Sequence, residues 1–141
     1  MHFQYFALLV TCFVLGATAH ITNIVPTTKN YKPTSSSKYP LTFTTQNGID
    51  TFYDFSIAVG VHPSSEKQAN SIYAFVENFD LVALGHSTSG NGNFTLDVKL
   101  PADRFDSGSG TYTLTAAVTR GIGASVATSV EFYSTTFTVK L

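Results

Sequence analysis

The chain has 141 residues and a formal net charge of −1, from eight Lys or Arg and nine Asp or Glu. This length suits one domain with a substantial hydrophobic core rather than two domains. The charged residues are scattered singly, so the sequence offers no basic stripe for nucleic acid or anionic lipid. We therefore expect no nucleic-acid binding and no membrane insertion.

The N-terminus has the pattern of a secretory signal. Residues 6–16, "FALLVTCFVLG", form an uncharged apolar run that is too short to span a membrane. The run leads into Ala17-Thr18-Ala19, small residues of the kind that signal peptidase recognises. We predict a signal peptide over residues 1–19, a mature domain over residues 20–141, and secretion. The only cysteine, Cys12, leaves with the signal, so packing alone must stabilise the secreted chain.

Apolar and polar residues alternate with period two between turn residues, which predicts β-strands almost throughout. The predicted strands are "HITNIV" (20–25), "YPLTFTTQ" (39–46), "FYDFSIAVGVHP" (52–63), "NFTLDVKLP" (93–101), "GTYTLTAAVTR" (110–120) and "VEFYSTTFTVKL" (130–141). Residues 71–85, "SIYAFVENFDLVALG", are apolar without strict alternation and fit either one strand with a bulge or two short strands. Asn47-Gly48 marks a tight turn.

Parity along two of these strands predicts which side chains face the core. In 52–63 one side carries Tyr53, Phe55, Ile57, Val59 and Val61. In 93–101 the inward residues are Phe94, Leu96, Val98 and Leu100, and the outward residues are Asn93, Thr95, Asp97 and Lys99.

About seven short strands separated by regular turns predict an all-β fold, a single-domain antiparallel sandwich. A local pattern indicates the immunoglobulin-like type. In "PADRFDSGSGTYTL" a polar, glycine-rich corner leads to Tyr112, with Leu114 two residues later. This resembles a tyrosine corner, in which the Tyr hydroxyl bonds back to the corner backbone. Leu114 then occupies the usual place of the second disulfide cysteine.

Copper binding is the sharpest alternative that the residues themselves suggest. Cleavage after Ala19 would expose His20, whose amine and imidazole could join one more imidazole in a T-shaped Cu(II) site. In immunoglobulin strand order His86 lies at the same end as His20. His62 lies at the other end, about 25 Å away. His20 and His86 are therefore the one pair that we retain as a possible copper site. In the other interpretation, His20 is simply the first residue of a strand.

Other chemical readings have less support. Asp97, Asp103 and Asp106 are near one another in sequence, but glycoside hydrolysis needs a cleft with carboxylates roughly 5 to 9 Å apart. The corner "DRFDSGSG" lacks a recognisable calcium-loop pattern, and turn formation explains it better. A cell-wall carbohydrate-binding module remains a third possibility. Asn93-Phe94-Thr95 is a glycosylation sequon, and Asn93 is a predicted glycosylation site at a strand start.

The segment "PLTFTTQNGIDTFYDFSIAVGVHP" resembles the necrosis-inducing secreted proteins of fungi. The match lies on Thr44-Thr45-Gln46-Asn47, Tyr53-Asp54, Ile57-Ala58, Gly60-Val61 and Pro63. The later segments "ALGHSTSGNGNFTLDVKLP" and "YTLTAAVTRGIGASVATSVEFYSTTFTV" have a similar order and spacing, whereas residues 64–84 match less well. The resemblance covers most of the chain after residue 20.

The resemblance implies a non-enzymatic effector without a cofactor, secreted into the plant apoplast, with uptake into host cells left open. It implies binding to a host plant protein, a receptor-associated immune kinase, suppression of pattern-triggered immunity, and the ability to provoke cell death. We expect a monomer that contacts its partner through loops 46–52, 86–92 and 121–125, or else through a sheet face or an exposed edge. The predicted partner contacts are Asn47, Asp50, Tyr53, His86 and Arg120.

Overall fold

The computed structural model describes residues 18–66, 69–88 and 90–141. The apolar run of the predicted signal and Cys12 therefore lie outside the described residues. The described residues form β1 (Ala19–Pro26), β2 (Asn30–Tyr31), β3 (Lys38–Asn47), β4 (Phe52–Pro63), β5 (Ala74–Asp80), β6 (Gly92–Lys99), β7 (Gly110–Ile122) and β8 (Ala127–Val139). A single turn of 3₁₀ helix covers Ala102–Arg104.

The strands form two packed sheets. One has the order β1-β3-β6 and the other the order β2-β8-β7-β4-β5. Neighbours pair antiparallel, except that β2 runs parallel to β8. In an immunoglobulin-like fold the third, sixth and seventh main strands share one sheet, and the first, second and fifth share the other. Counting the two-residue β2 as an addition, β4, β7 and β8 share one sheet and β1, β3 and β6 the other, so the predicted immunoglobulin-like sandwich is confirmed.

The core lies between the two sheets and is built from alternate residues of each strand. Its fully buried large side chains include Tyr39, Leu41, Phe43, Ile57, Val59, Val98, Leu100, Phe105 and Leu114. The predicted alternation in β6 is confirmed, because Leu96 and Val98 are buried while Asn93, Thr95, Asp97 and Lys99 are exposed. A continuous core of this kind holds the fold by apolar burial.

The predicted inward row of β4 is wrong at its first two members. The pairing of β4 with β7 shifts register between Asp54 and Ser56, which is a β-bulge. A bulge adds one residue to one strand and so reverses which face the following side chains occupy. Ile57 is buried as expected, but Asp54 is buried in place of Tyr53 and Phe55, which lie half-buried on the outer face.

Residues 71–85 form one strand with a bulge rather than two strands. β5 pairs with β4, with a register shift between Val59 and Gly60 of β4, and a turn over 81–85 follows it. The structure also contains β2, which the sequence pattern did not predict. Tyr31 of β2 is buried, and its hydroxyl donates to the carbonyl of Leu100 at 2.8 Å.

The connections gather at two ends of the sandwich. We call one end the tip. It carries the loops 48–51, 81–91 and 123–126, where β3, β5 and β7 end and β4, β6 and β8 begin. The opposite end, the base, carries the connections over 27–37, 64–73 and 100–109. This clustering follows from the antiparallel strand order, and it confirms that the three predicted contact loops lie together.

The tyrosine corner is present at the base. Tyr112 is buried, and its hydroxyl donates to the carbonyl of Gly108 at 2.8 Å. Its ring packs edge-on against Phe105, with centroids 4.9 Å apart. The hydroxyl thus ties the 100–109 connection to the start of β7.

We expect Tyr112→Phe to lower the free energy of unfolding by about 1 kcal/mol, because the Gly108 carbonyl loses its donor while the ring remains in place. Urea unfolding measures the change. Tyr53→Phe is the matched control, since Tyr53 lies on the outer face, and it should change stability little. Equal stability of the two variants would show that the corner hydrogen bond contributes nothing.

Candidate functional site

Hydrogen bonds join the first tip loop to the third, and join the second tip loop to the strands β3 and β4. Gly123 N–H donates to the carbonyl of Thr51 at 2.9 Å, and Asp54 N–H donates to that of Ser87 at 3.0 Å. The Thr45 hydroxyl donates to the carbonyl of Gly90 at 2.6 Å. Each bond links residues far apart in sequence, so the tip loops are held in one arrangement before any partner binds.

Beneath the tip lies a buried ion pair. Arg120 is 1% exposed, and its Nε donates to Asp54 Oδ1 at 2.6 Å. Its Nη1 donates to Glu131 Oε2 at 2.7 Å, and its Nη2 to the carbonyl of Ile21 at 2.6 Å. All three nitrogens of the guanidinium thus donate a hydrogen bond, and a buried charge needs such partners to be stable.

The same cluster also satisfies the backbone of an edge strand. Ile21 lies on β1, at one edge of the three-stranded sheet, and its N–H donates to Asp54 Oδ2 at 2.7 Å. The Ile21 carbonyl accepts from Arg120 and, at 2.8 Å, from the hydroxyl of Tyr133, which also bonds Glu131. We call Asp54, Arg120, Glu131 and Tyr133 with the Ile21 backbone the Arg120 clamp. It covers an otherwise unpaired edge and joins the two sheets.

Burial and charge set the protonation of the clamp. Burial disfavours the charge of Arg120, but the hydrogen bond and the negative charge of Asp54 outweigh it and raise the pKa of Arg120. Burial, followed by the hydrogen bond to Glu131, raises the pKa of Tyr133 to about 12. Arg120 is therefore charged and Tyr133 neutral at any physiological pH.

The clamp changes the predicted set of partner contacts. Arg120 was predicted to contact a partner, but its side chain is 1% exposed and so offers almost no surface for a contact. Its parity could have revealed this, since Leu114, Ala116 and Val118 on the same side of β7 are all buried. Sequence reasoning also missed Asp54, whose inward direction depends on the bulge.

The remaining predicted contacts lie at or near the tip. Asn47 and Asp50 are exposed. Tyr53 lies on the outer face of the five-stranded sheet, its ring parallel to that of Phe55 with centroids 6.5 Å apart. His86 is half-buried, and its ring stacks on Phe94 with centroids 4.2 Å apart.

His20 lies beside the Arg120 clamp. It is half-buried on β1, opposite Gln46, and its ring packs at a tilt of 30° against that of Phe52, with centroids 4.0 Å apart. Its Nδ1 is buried without a hydrogen-bond partner among the described residues. Burial, followed by the positive charge of Arg120, lowers the pKa of His20, although Asp54 and Glu131 act in the opposite direction.

The predicted copper pair is divided between two edges of one sheet. His20 is on β1 and His86 stacks on Phe94 of β6, while β3 lies between those strands. His62 is at the base, as expected, with Nδ1 2.9 Å from the carbonyl of Pro63. Within the described ranges no group of three or more His, Cys, Asp or Glu is arranged to hold a metal ion. Copper binding by His20 and His86 stays a prediction.

The other predicted sites lie on the surface. Asn93 is exposed one residue into β6, where a glycan would not disturb the core, and its glycosylation stays a prediction. Asp97, Asp103 and Asp106 are exposed at or toward the base. Among the residues that the structure describes, no helix is long and apolar enough to cross a membrane.

The sequence of the chain matches the model of the Nis1 family over residues 17–138. The chain belongs to the Nis1 family. This match includes every strand from β1 to β7 and nearly all of β8, and it places the chain in a family of fungal effector type. No curated protein matches the sequence. The family match thus agrees with the expected effector class and covers both the tip and the Arg120 clamp.

We expect Arg120→Met to lower the free energy of unfolding by about 3 to 5 kcal/mol, because it leaves the buried Asp54 carboxylate without its counter-charge. Chemical denaturation measures this. Lys99→Met is the matched control. Lys99 is 70% exposed and 3.8 Å from Glu77, so its loss should cost less than about 1 kcal/mol.

The double variant Asp54→Asn with Arg120→Met tests the cause of that loss. Removing both charges should give a more stable protein than Arg120→Met alone, since no uncompensated buried charge remains. A double variant no more stable than the single one would mean that lost packing, not the orphaned charge, explains the effect.

His20 should make stability depend on pH. Its folded pKa lies below the ordinary value of 6.5, so between the two values the unfolded chain binds more protons. Stability should therefore fall as the pH drops below about 6.5. Unfolding experiments at pH 7.5 and pH 5 on wild type and His20→Phe, which keeps an aromatic ring against Phe52, isolate this contribution. An equal loss of stability in both proteins would rule it out.

Proposed function

We propose that this protein is a secreted fungal effector that binds a host plant immune protein, a receptor-associated kinase, and so suppresses pattern-triggered immunity. The observation that carries the proposal is the Nis1 family match over residues 17–138, which spans nearly the whole folded domain. In this proposal the protein acts by occupying a surface of the kinase and not by catalysis. Its ability to provoke cell death would follow from the same contact.

The form of the domain supports a binding role. An immunoglobulin-like sandwich presents its end loops on a rigid scaffold, which is a common arrangement for binding proteins. The tip loops are joined by hydrogen bonds such as that from Gly123 to Thr51, so little ordering entropy is lost when a partner binds. The buried Arg120 clamp beneath them adds rigidity.

The proposal is tested with purified protein and the purified kinase domain of a plant receptor-associated kinase. We expect a 1:1 complex with a dissociation constant of micromolar or below, which calorimetry measures. The intact mass of the kinase should be unchanged after incubation, because the mechanism is binding. In leaves, the protein should reduce the oxidative burst triggered by a microbial pattern.

Two results would contradict the proposal. Absence of kinase binding together with an undiminished burst would remove the immune role altogether. A covalent change in the kinase produced by substoichiometric amounts of the protein would show an enzyme.

A further inference from the structure

The tip exposes aliphatic side chains from all three of its loops. Ile49 in the first loop is fully exposed, as an isolated side chain would be. Val82 and Leu84 in the second loop and Val126 in the third are each more than 40% exposed. Several aliphatic groups at one end of a small domain form the kind of apolar surface that marks a protein contact.

Val126 has a backbone conformation that valine strongly disfavours. Its φ is +51°, in the left-handed region, where a β-branched residue is a rare outlier. Glycine or asparagine would occupy this turn position with less strain. Strained residues of this kind are concentrated at functional sites, where the side chain serves a purpose other than stability.

A glycine, Gly121, leaves space for the side chain of Val126. A Cβ added at Gly121 would lie 2.6 Å from Val126 Cγ1 and 2.9 Å from the ring of Phe55. Gly121 thus leaves room for both side chains above it. Phe55 in turn lies parallel to Tyr53, so an apolar surface continues from the tip onto the outer face of the five-stranded sheet.

Exposed basic side chains are confined to one end of the described molecule, whereas acidic side chains occur at both ends. The three tip loops contain no Lys or Arg. Asp50 in the first loop and Asp80 at the end of β5 are exposed, and Glu131 on β8 is half-buried. Every exposed Lys or Arg that the structure describes lies at the base or toward it: Lys29, Lys32, Lys38, Lys99, Arg104 and Lys140. The tip therefore carries exposed aliphatic and acidic side chains and no basic side chain in its loops.

We propose that the tip is a docking surface for a protein whose contact region is an apolar depression bordered by Lys or Arg. Ile49 and Val126 fill the depression, and Asp50 and Asp80 face the basic border. The inference rests on the proposed function for the identity of the partner as a plant kinase. The contact chemistry itself comes from the aliphatic groups, the strain at Val126 and the distribution of charge.

The same features argue against other occupants of the tip. A second copy of the chain would bring Asp50 and Asp80 against like charges in a symmetric contact. An anionic lipid surface would be repelled by the same two carboxylates. The exposed edge strand β5, with Phe75 more than half exposed, is the competing surface on this chain, and the experiment includes it.

The test measures the affinity of purified variants for the purified kinase domain at low and high salt. Ile49→Ser and Val126→Asn should each weaken binding at least 10-fold. Asp50→Lys with Asp80→Lys should weaken it at least 10-fold at low salt and less in 0.5 M NaCl, because salt screens the charges. Phe75→Ser, on edge strand β5, is the matched control and should bind within twofold of wild type.

Stability measurements separate loss of contact from loss of fold. Val126→Asn should unfold at a midpoint about 4 °C above wild type, since asparagine tolerates the left-handed region. Weaker binding by a more stable protein assigns Val126 to the contact. A lower midpoint would show that Val126 serves the fold, and the inference would lose its strain argument and be wrong on that point.

The outcomes distinguish the two proposals. If tip variants bind as wild type does and Phe75→Ser binds weakly, the tip inference is wrong and the kinase function stands. If wild type binds no kinase but suppresses the oxidative burst in leaves, and only tip variants lose that effect, the tip stands and the kinase assignment fails. If wild type neither binds nor suppresses, or if it self-associates or binds vesicles through the tip, the inference is overturned.

Discussion

The buried ion pair of Arg120 and Asp54 is the interaction on which the structure of the sandwich near the tip depends. A bulge in β4 turns Asp54 inward to meet Arg120, and the pair then holds the backbone of Ile21 on edge strand β1. The same bulge turns Phe55 outward, beside Val126. The bulge in β4 therefore places Asp54 where it joins the two sheets and Phe55 where it packs next to the tip.

Sequence patterning predicted the fold well because period-two alternation reports burial directly. β4 was predicted over its full extent, Phe52–Pro63, and the Tyr112 corner was identified from its glycine-rich approach. The site was predicted less well. A bulge leaves no mark in the alternation, so Tyr53 was assigned to the core, and β2 is too short to show a period. The left-handed backbone of Val126 could not be predicted from the sequence, because a β-branched residue rarely adopts that conformation.

In the proposed mode of binding, the base mainly stabilises the fold and the tip contacts the partner. At the base, Tyr31, Tyr39, Phe105 and Phe137 pack in a dense aromatic group. The base also contains a left-handed residue, Tyr73, whose φ is +58°. At the tip, aliphatic groups are exposed and a β-branched residue is strained. A residue that departs from its local preference in a well-packed domain often serves a function other than folding.

Amide hydrogen exchange of the protein, free and bound to a plant receptor-associated kinase, tests the central claim that the tip is the contact surface. The account predicts slower exchange on binding in residues 48–51, 81–88 and 123–126, with β5 (Ala74–Asp80) unchanged. Protection concentrated in β5 or in the base connections, with the tip loops exchanging as in the free protein, would contradict it.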